Sequence, residues 1–172
     1  MPAINKKDPI DLGQAVAQAW ATNERINQFL LEALDDSVWD VKPPSGKGRT
    51  IAAIVSHVHN VRLMWLAVSA KGRPAPSKLD RKTATRKDAL KALVESGKAV
   101  QILFGAAVAN GGHVKDFKPD VVGLLGYMVS HEAHHRGQIC MQARALGHQL
   151  PDGVGWGMWD WKKRWQECGF GG

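Results

Sequence analysis

The chain has 172 residues, of which 44% are hydrophobic, and its formal net charge is +7. This length is enough for one well-buried domain and marginal for two, so we expect a single domain over residues 1–172. The only two cysteines, Cys140 and Cys168, form no C-x-x-C pair. This excludes a disulfide framework and a cysteine zinc site and predicts a reducing, cytoplasmic environment.

The distribution of charge and apolar residues also bears on partners. Lysines and arginines are scattered along the chain, which predicts a solvated surface rather than a nucleic-acid interface. No apolar run approaches the roughly 18 residues of a membrane span, and the first nine residues, MPAINKKDP, lack the apolar core of a signal peptide. We therefore expect no nucleic-acid partner, no membrane association, and a short polar arm before the first helix.

The first predicted helix begins near Asp11 and continues to Asp35, because apolar residues recur at spacings of three and four. Asn23 and Asn27 lie on the same stripe. Buried amide groups need hydrogen-bond partners, so the two asparagines indicate either a wet pocket or a face that drifts to solvent.

The second predicted helix runs from Ile51 to about Ala70. It follows the segment VWDVKPPSGKGRT, whose prolines and glycines forbid regular structure and whose final residue, Thr50, is a typical cap. Its predicted buried stripe contains Ile54, Val58, Val61, Trp65 and Val68. His57 lies on this side and His59 nearer the edge, so His57 is the preferred internal histidine and His59 the alternative.

A connection rich in glycine, proline and charge, residues 71–84, follows the second helix and is long enough to cross over one end of a bundle. Thr85 and Asp88 resemble a capping box at the start of a third helix that stops at Asn110. Its predicted apolar positions include Leu90, Leu93, Val94, Val100, Ile102, Leu103, Phe104 and Val108. His113, in the following turn, is expected to be solvated.

The fourth predicted helix has Pro119 in its first turn and ends at Gly147. The tail after it holds four of the seven tryptophans. Trp161 and Trp165 are one turn apart, which favours a short amphipathic helix that covers the bundle over a lipid-binding or base-stacking segment. Four long amphipathic segments without strand alternation predict an all-α four-helix bundle with a short C-terminal helix.

The fourth helix contains the sequence SHEAHHRGQ, in which His131 and His135 are four residues apart. Residues at this spacing lie on one helix face, so both rings can reach one metal ion. With a third histidine from the second helix, such a site keeps open coordination positions and suits zinc, nickel, iron or copper. An isolated H-x-x-x-H pair is equally typical of two buried or surface histidines.

The segment HEAHHRGQI, followed by ARALG, resembles the last-helix signature of the DinB/YfiT-like metalloenzyme family. The resemblance extends to SHVHNVRLMWL in the second helix and to VWDVKPP before it. It implies a bundle in up-down-down-up order with a long crossover between helices two and three, and frequently a homodimer. It also implies a divalent metal, zinc or nickel first and iron as an alternative, bound by His57, His131 and His135.

The function that the resemblance implies is a metal-dependent reaction, either transfer of a low-molecular-weight thiol to an electrophile or a hydrolysis. Whether the chain is an enzyme stays open, and the alternative is a non-catalytic, stress-related helical binding or scaffold protein. No catalytic residue is assigned.

Several residues near the H-x-x-x-H motif have two interpretations each. Tyr127 and Gln138 either contact a metal-bound water or pack between helices. Glu132 and His134 are expected to be exposed or interhelical, with a general-base role as the alternative. The remaining expectations are a carboxylate partner for Arg136, close helix approach at Gly137, and a small buried side chain for Cys140.

Overall fold

The computed structural model describes residues 9–171, and within them the chain is all-helical, as predicted. The polar N-terminal arm lies almost wholly outside the described residues. The helices are α1 (Leu12–Glu32), α2 (Ile51–Ser69), α3 (Arg86–Ala109), α4 (Val121–Ala145), α5 (Asp152–Gly157) and α6 (Trp161–Glu167).

The helix ends follow from capping side chains. Thr50 caps α2, and Thr85 and Asp88 form the predicted capping box of α3. Asp120 accepts a hydrogen bond from the Gly123 amide and begins α4, so Pro119 lies just before the helix instead of in its first turn. Helix α1 ends at Glu32, before the predicted boundary, and a short 3₁₀ turn at Asp36–Val38 follows it.

Helices α1 and α2 each pack against both α3 and α4. Along α1 and α3 the contacts run in opposite directions, since Trp20 donates to the Gly97 carbonyl at 2.8 Å and Arg86 donates to the Leu31 carbonyl at 3.3 Å. Residues 70–85 return alongside α2, where the Leu79 carbonyl accepts from Asn60 at 3.0 Å. Helix α3 therefore starts beside the first turn of α2.

A layer of buried polar side chains divides the interior into two hydrophobic clusters. One cluster includes Leu30, Leu31, Ile51, Val55, Leu93 and Ile139, and the other includes Val16, Trp20, Leu63, Val100, Leu124 and Met128. Every long helix contributes at least one polar group between them. We call this set the polar layer; its members are Asn23, Glu24, Asn27, His59, Arg62, Ser96 and Glu132.

The buried face of α2 differs from the predicted stripe. Val68 is 38% exposed, whereas His59 and Arg62 are fully buried. Helix α2 is apolar on most of its surface, so the spacing of its apolar residues did not determine which face is buried. His59 and Arg62 can be buried because both have hydrogen-bond partners in the interior. On α3, Ile102, one of the apolar positions predicted for this helix, is 56% exposed.

The tail packs on the bundle as predicted. Helix α6 lies against α1, where Trp165 Nε1 donates to Gln18 Oε1 at 3.0 Å. The Arg164 side chain is 98% buried, and its guanidinium carbon lies 3.9 Å from the centre of the Phe29 ring. Trp156 and Trp159 remain largely exposed at the surface.

Two helices, Ile51–Ser69 and Arg86–Ala109, are long and apolar enough to cross a membrane by length and composition. Both also contribute the buried contacts of the bundle described above. The core helices of globular domains pass the same test, so this finding is weak evidence for a membrane span. The cytoplasmic location stays a prediction.

The structure distinguishes two aliphatic residues of α3 that sequence periodicity treated alike. Replacing Leu93, which is 1% exposed, with alanine should lower the free energy of unfolding by about 2–5 kcal/mol, since a cavity forms between helices. Ile102→Ala should change it by less than about 1 kcal/mol. Urea denaturation followed by circular dichroism measures both, and equal losses would contradict this packing.

Candidate metal centre

Three histidine rings from two helices meet at the side of the bundle. His57 lies on α2, and His131 and His135 lie one turn apart on α4. One nitrogen from each ring lies within 4.8 Å of the other two. The structure thus brings together all three of the histidines selected from the sequence.

The nitrogen separations suit a small transition-metal ion. The Nε2 atom of His131 lies 3.3 Å from Nε2 of His57 and 3.1 Å from Nε2 of His135. Two nitrogens that each lie about 2.05 Å from a tetrahedral zinc ion are roughly 3.3 Å apart. The donor set consists of imidazoles alone, which fits a borderline cation such as zinc, nickel or iron better than magnesium or calcium.

Gln138 fixes the protonation of one ring. Its side-chain oxygen lies 2.8 Å from Nδ1 of His135, and its side-chain nitrogen lies 3.0 Å from Nε2 of His134. Because a carbonyl oxygen can only accept, Nδ1 of His135 carries the proton and its Nε2 keeps a free lone pair. Gln138 therefore orients the His135 ring through the nitrogen that faces away from the cluster, the same arrangement that outer-shell partners have in metal sites.

The environment keeps these rings neutral. Burial and the neighbouring His135 and His57 rings together lower the pKa of His131 to about 4. Burial, His135 and Arg49 lower the pKa of His57. The pKa of His135 is also lowered, chiefly by burial. Since only the unprotonated imidazole nitrogen binds a metal, the cluster is in a metal-binding state at neutral pH.

The cluster opens into a cleft of about 650 Å³ between the start of α2 and the second half of α4. Its walls combine apolar surface from Ile54 and Met141 with the basic residues Lys47 and Arg49. This opening gives a small molecule access to the three rings. A second groove, of about 720 Å³, lies at the start of α3 and contains none of the histidines.

Behind the histidines, the polar layer joins α2 to α4 through charged groups. Arg62 donates to Glu132 through two nitrogens, at 2.7 and 2.9 Å, and pairs with Glu24 at 2.5 Å. Burial raises the pKa of Glu132, but Arg62 and the two asparagine amides lower it overall, so this carboxylate is ionised. Glu132 therefore occupies the interhelical position expected for it and is only 1% exposed.

The two asparagines of α1 complete this layer. Asn23 and Asn27 each donate to Glu132 Oε2 at 2.7 Å and accept from Arg136, at 2.9 and 2.6 Å respectively. Both side chains are buried and hydrogen-bonded to protein groups, so this face of α1 does not drift to solvent. The expectation that Arg136 pairs directly with a carboxylate was wrong, because Arg62 and the asparagines already occupy the oxygens of Glu132.

The structure also places the other candidates. His59 is fully buried, and its Nε2 donates to the Ser77 carbonyl at 2.9 Å, so it is a structural residue. Tyr127 stacks on His131 with a ring-centroid distance of 6.1 Å. No described atom of another helix lies within 4 Å of a Cβ placed on Gly137, so this glycine does not mark a close helix approach. Cys140 is half-buried against the hydrophobic cluster.

Fold and site together define an all-helical bundle with an open three-histidine cluster between two helices. The model of the DinB family matches residues 5–162 of this chain. The chain therefore belongs to the DinB family, in agreement with the resemblance of its motifs. Searches of curated proteins and of solved structures returned no match.

The lowered histidine pKa values predict acid sensitivity of protein stripped of metal by a chelator. A histidine with a lower pKa in the folded than in the unfolded chain binds fewer protons when folded. The free energy of unfolding should therefore decrease from about pH 6.5 down to about pH 4, the ordinary and folded values for His131. Because the His131 ring is partly exposed, its contribution to the decrease in the free energy of unfolding should stay below about 1.4 kcal/mol per pH unit.

Urea denaturation across this pH range tests the expectation. His131→Gln should flatten the decrease, since one of the titrating rings is gone. His113→Gln, which removes an exposed histidine from the α3–α4 turn, should leave the profile unchanged. Identical pH profiles for the wild type and His131→Gln would show that this ring titrates normally in the folded chain.

Proposed function

We propose that this protein binds one divalent transition-metal ion through His57, His131 and His135 and is a metal-dependent enzyme. The observation that carries the proposal is the approach of three Nε2 atoms to 3.1–3.3 Å in successive pairs at the base of an open cleft. Closed structural sites use four protein ligands, whereas three leave room for an incoming molecule. Zinc and nickel are the proposed ions, with iron next.

The proposed reaction is transfer of a low-molecular-weight thiol to an electrophile, and hydrolysis is the second choice. When bound, a divalent cation lowers the pKa of an incoming thiol or water and so supplies a nucleophile near neutral pH. The chain's own residues hold the ligands in place, through Gln138 behind His135 and Tyr127 stacked on His131. The choice of a thiol reaction follows from what the motif resemblance implies for members of the family.

Metal content is the direct test of the ligand set. Purified protein loaded with zinc and passed through a desalting column should retain about one ion per chain. His57→Ala and His135→Ala should each lower the retained zinc severalfold or more, since two imidazoles remain. His113→Ala is the matched control and should retain the wild-type amount.

Circular dichroism of each variant separates loss of metal from loss of fold. Wild-type zinc content in a folded His57→Ala or His135→Ala protein would remove that residue from the site. Absence of zinc, nickel and iron binding by the wild type would overturn the proposal and favour the scaffold alternative.

A further inference from the structure

The charge around the histidine cluster is unbalanced. Lys47 and Arg49 both line the cleft, and none of the described residues that line it is acidic. Neither cation forms an ion pair within residues 9–171, whereas Arg25, Arg62 and Arg86 all pair with carboxylates. Arg49 is close enough to the cluster to contribute to the lowered pKa of His57 and His135.

The described part of the bundle interior contains no surplus negative charge that would balance the positive charge of Lys47 and Arg49. The two carboxylates of the polar layer, Glu24 and Glu132, both pair with Arg62, and Arg136 adds a second guanidinium that is hydrogen-bonded to Asn23 and Asn27. Three neutral imidazoles add no negative charge, and a divalent cation bound to them adds two positive charges to those of Lys47 and Arg49. A cleft with this concentration of one charge sign attracts ligands of the opposite sign.

We propose that the molecule entering this cleft carries an oxyanion group, a carboxylate or a tetrahedral phosphate-like group, that pairs with Arg49 and Lys47 beside the histidines. This inference rests on the metal-dependent function proposed above and narrows its substrate class. A guanidinium binds both kinds of oxyanion through paired N–H donors, and a lysine adds a point charge. The apolar walls at Ile54 and Met141 contact the aliphatic part of the same molecule.

The test compares three small thiols that differ in one terminal group. 2-Mercaptoethanol is neutral, 3-mercaptopropionate carries a carboxylate, and 2-mercaptoethanesulfonate carries a tetrahedral oxyanion. Each is titrated calorimetrically into the full-length, zinc-loaded protein at low ionic strength, where surface charges are least screened. Comparing variants with the wild type for each thiol cancels the differences in thiol pKa between the probes.

Arg49→Gln should weaken binding of an anionic thiol about tenfold, as expected for one hydrogen bond to a charged group. Arg49→Gln should leave the binding of 2-mercaptoethanol unchanged. Lys47→Gln should also leave 2-mercaptoethanol binding unchanged, and it should weaken the anionic thiols less than Arg49→Gln does. Arg73→Gln is the matched control, because it removes the same charge from the exposed α2–α3 connection. This variant should bind all three thiols as the wild type does.

The outcomes separate this inference from the proposed function. Weaker binding of the carboxylate thiol, of the sulfonate thiol or of both by Arg49→Gln, with 2-mercaptoethanol binding unchanged, supports the oxyanion site. Which of the two thiols is affected shows whether the site takes a planar carboxylate or a tetrahedral group. Zinc binding with no difference between anionic and neutral thiols in the effect of Arg49→Gln overturns the inference and leaves the metal site standing. Failure of the wild type to bind zinc, nickel or iron overturns the proposed function and this inference together.

Discussion

The structure depends on the ionic contact that Arg62 makes inside the bundle. Its guanidinium binds Glu132 of α4 and Glu24 of α1, and all three side chains are almost fully enclosed. Taking these charges out of water is costly, so the contact is favourable only because donors and acceptors are matched in place. A rotation of α2 or a shift of α4 by one residue would leave buried charges without partners. The interaction thereby specifies how the helices align more than it adds stability.

This alignment determines the geometry of the histidine cluster. His57 precedes Arg62 by little more than one helical turn, and His131 is directly adjacent to Glu132 in the chain. The ion pair that fixes α2 against α4 thus also fixes the distance between the histidines of the two helices. The cluster lies at the open side of the polar layer, where the rings face a cleft while their helices are held from behind. The histidine cluster and the buried polar layer are therefore both formed where α2 packs against α4.

Much of this arrangement could be predicted from the sequence, but the argument that selected His57 was wrong. Capping residues and the H-x-x-x-H spacing are local signals, so the helix starts at Thr50 and Thr85 and the pairing of His131 with His135 followed directly. His57 was chosen because it was thought to be more internal than His59, and the structure shows the reverse. A histidine that binds a metal accessible to a small molecule must face an open cleft, as His57 does. His59 is instead buried, and both of its ring nitrogens are hydrogen-bonded to protein groups. The partners of Arg62 and Arg136 depend on contacts between distant helices, which periodicity cannot supply.

The proposed site consists of three imidazoles that hold one ion, and this ion remains open to a further ligand. X-ray absorption spectroscopy of the zinc-loaded protein measures the first coordination shell directly. We predict three imidazole nitrogens at about 2.0–2.1 Å together with at least one further nitrogen or oxygen donor that is not an imidazole. A sulfur scatterer at about 2.3 Å, or a shell with fewer than three imidazoles, would contradict this account.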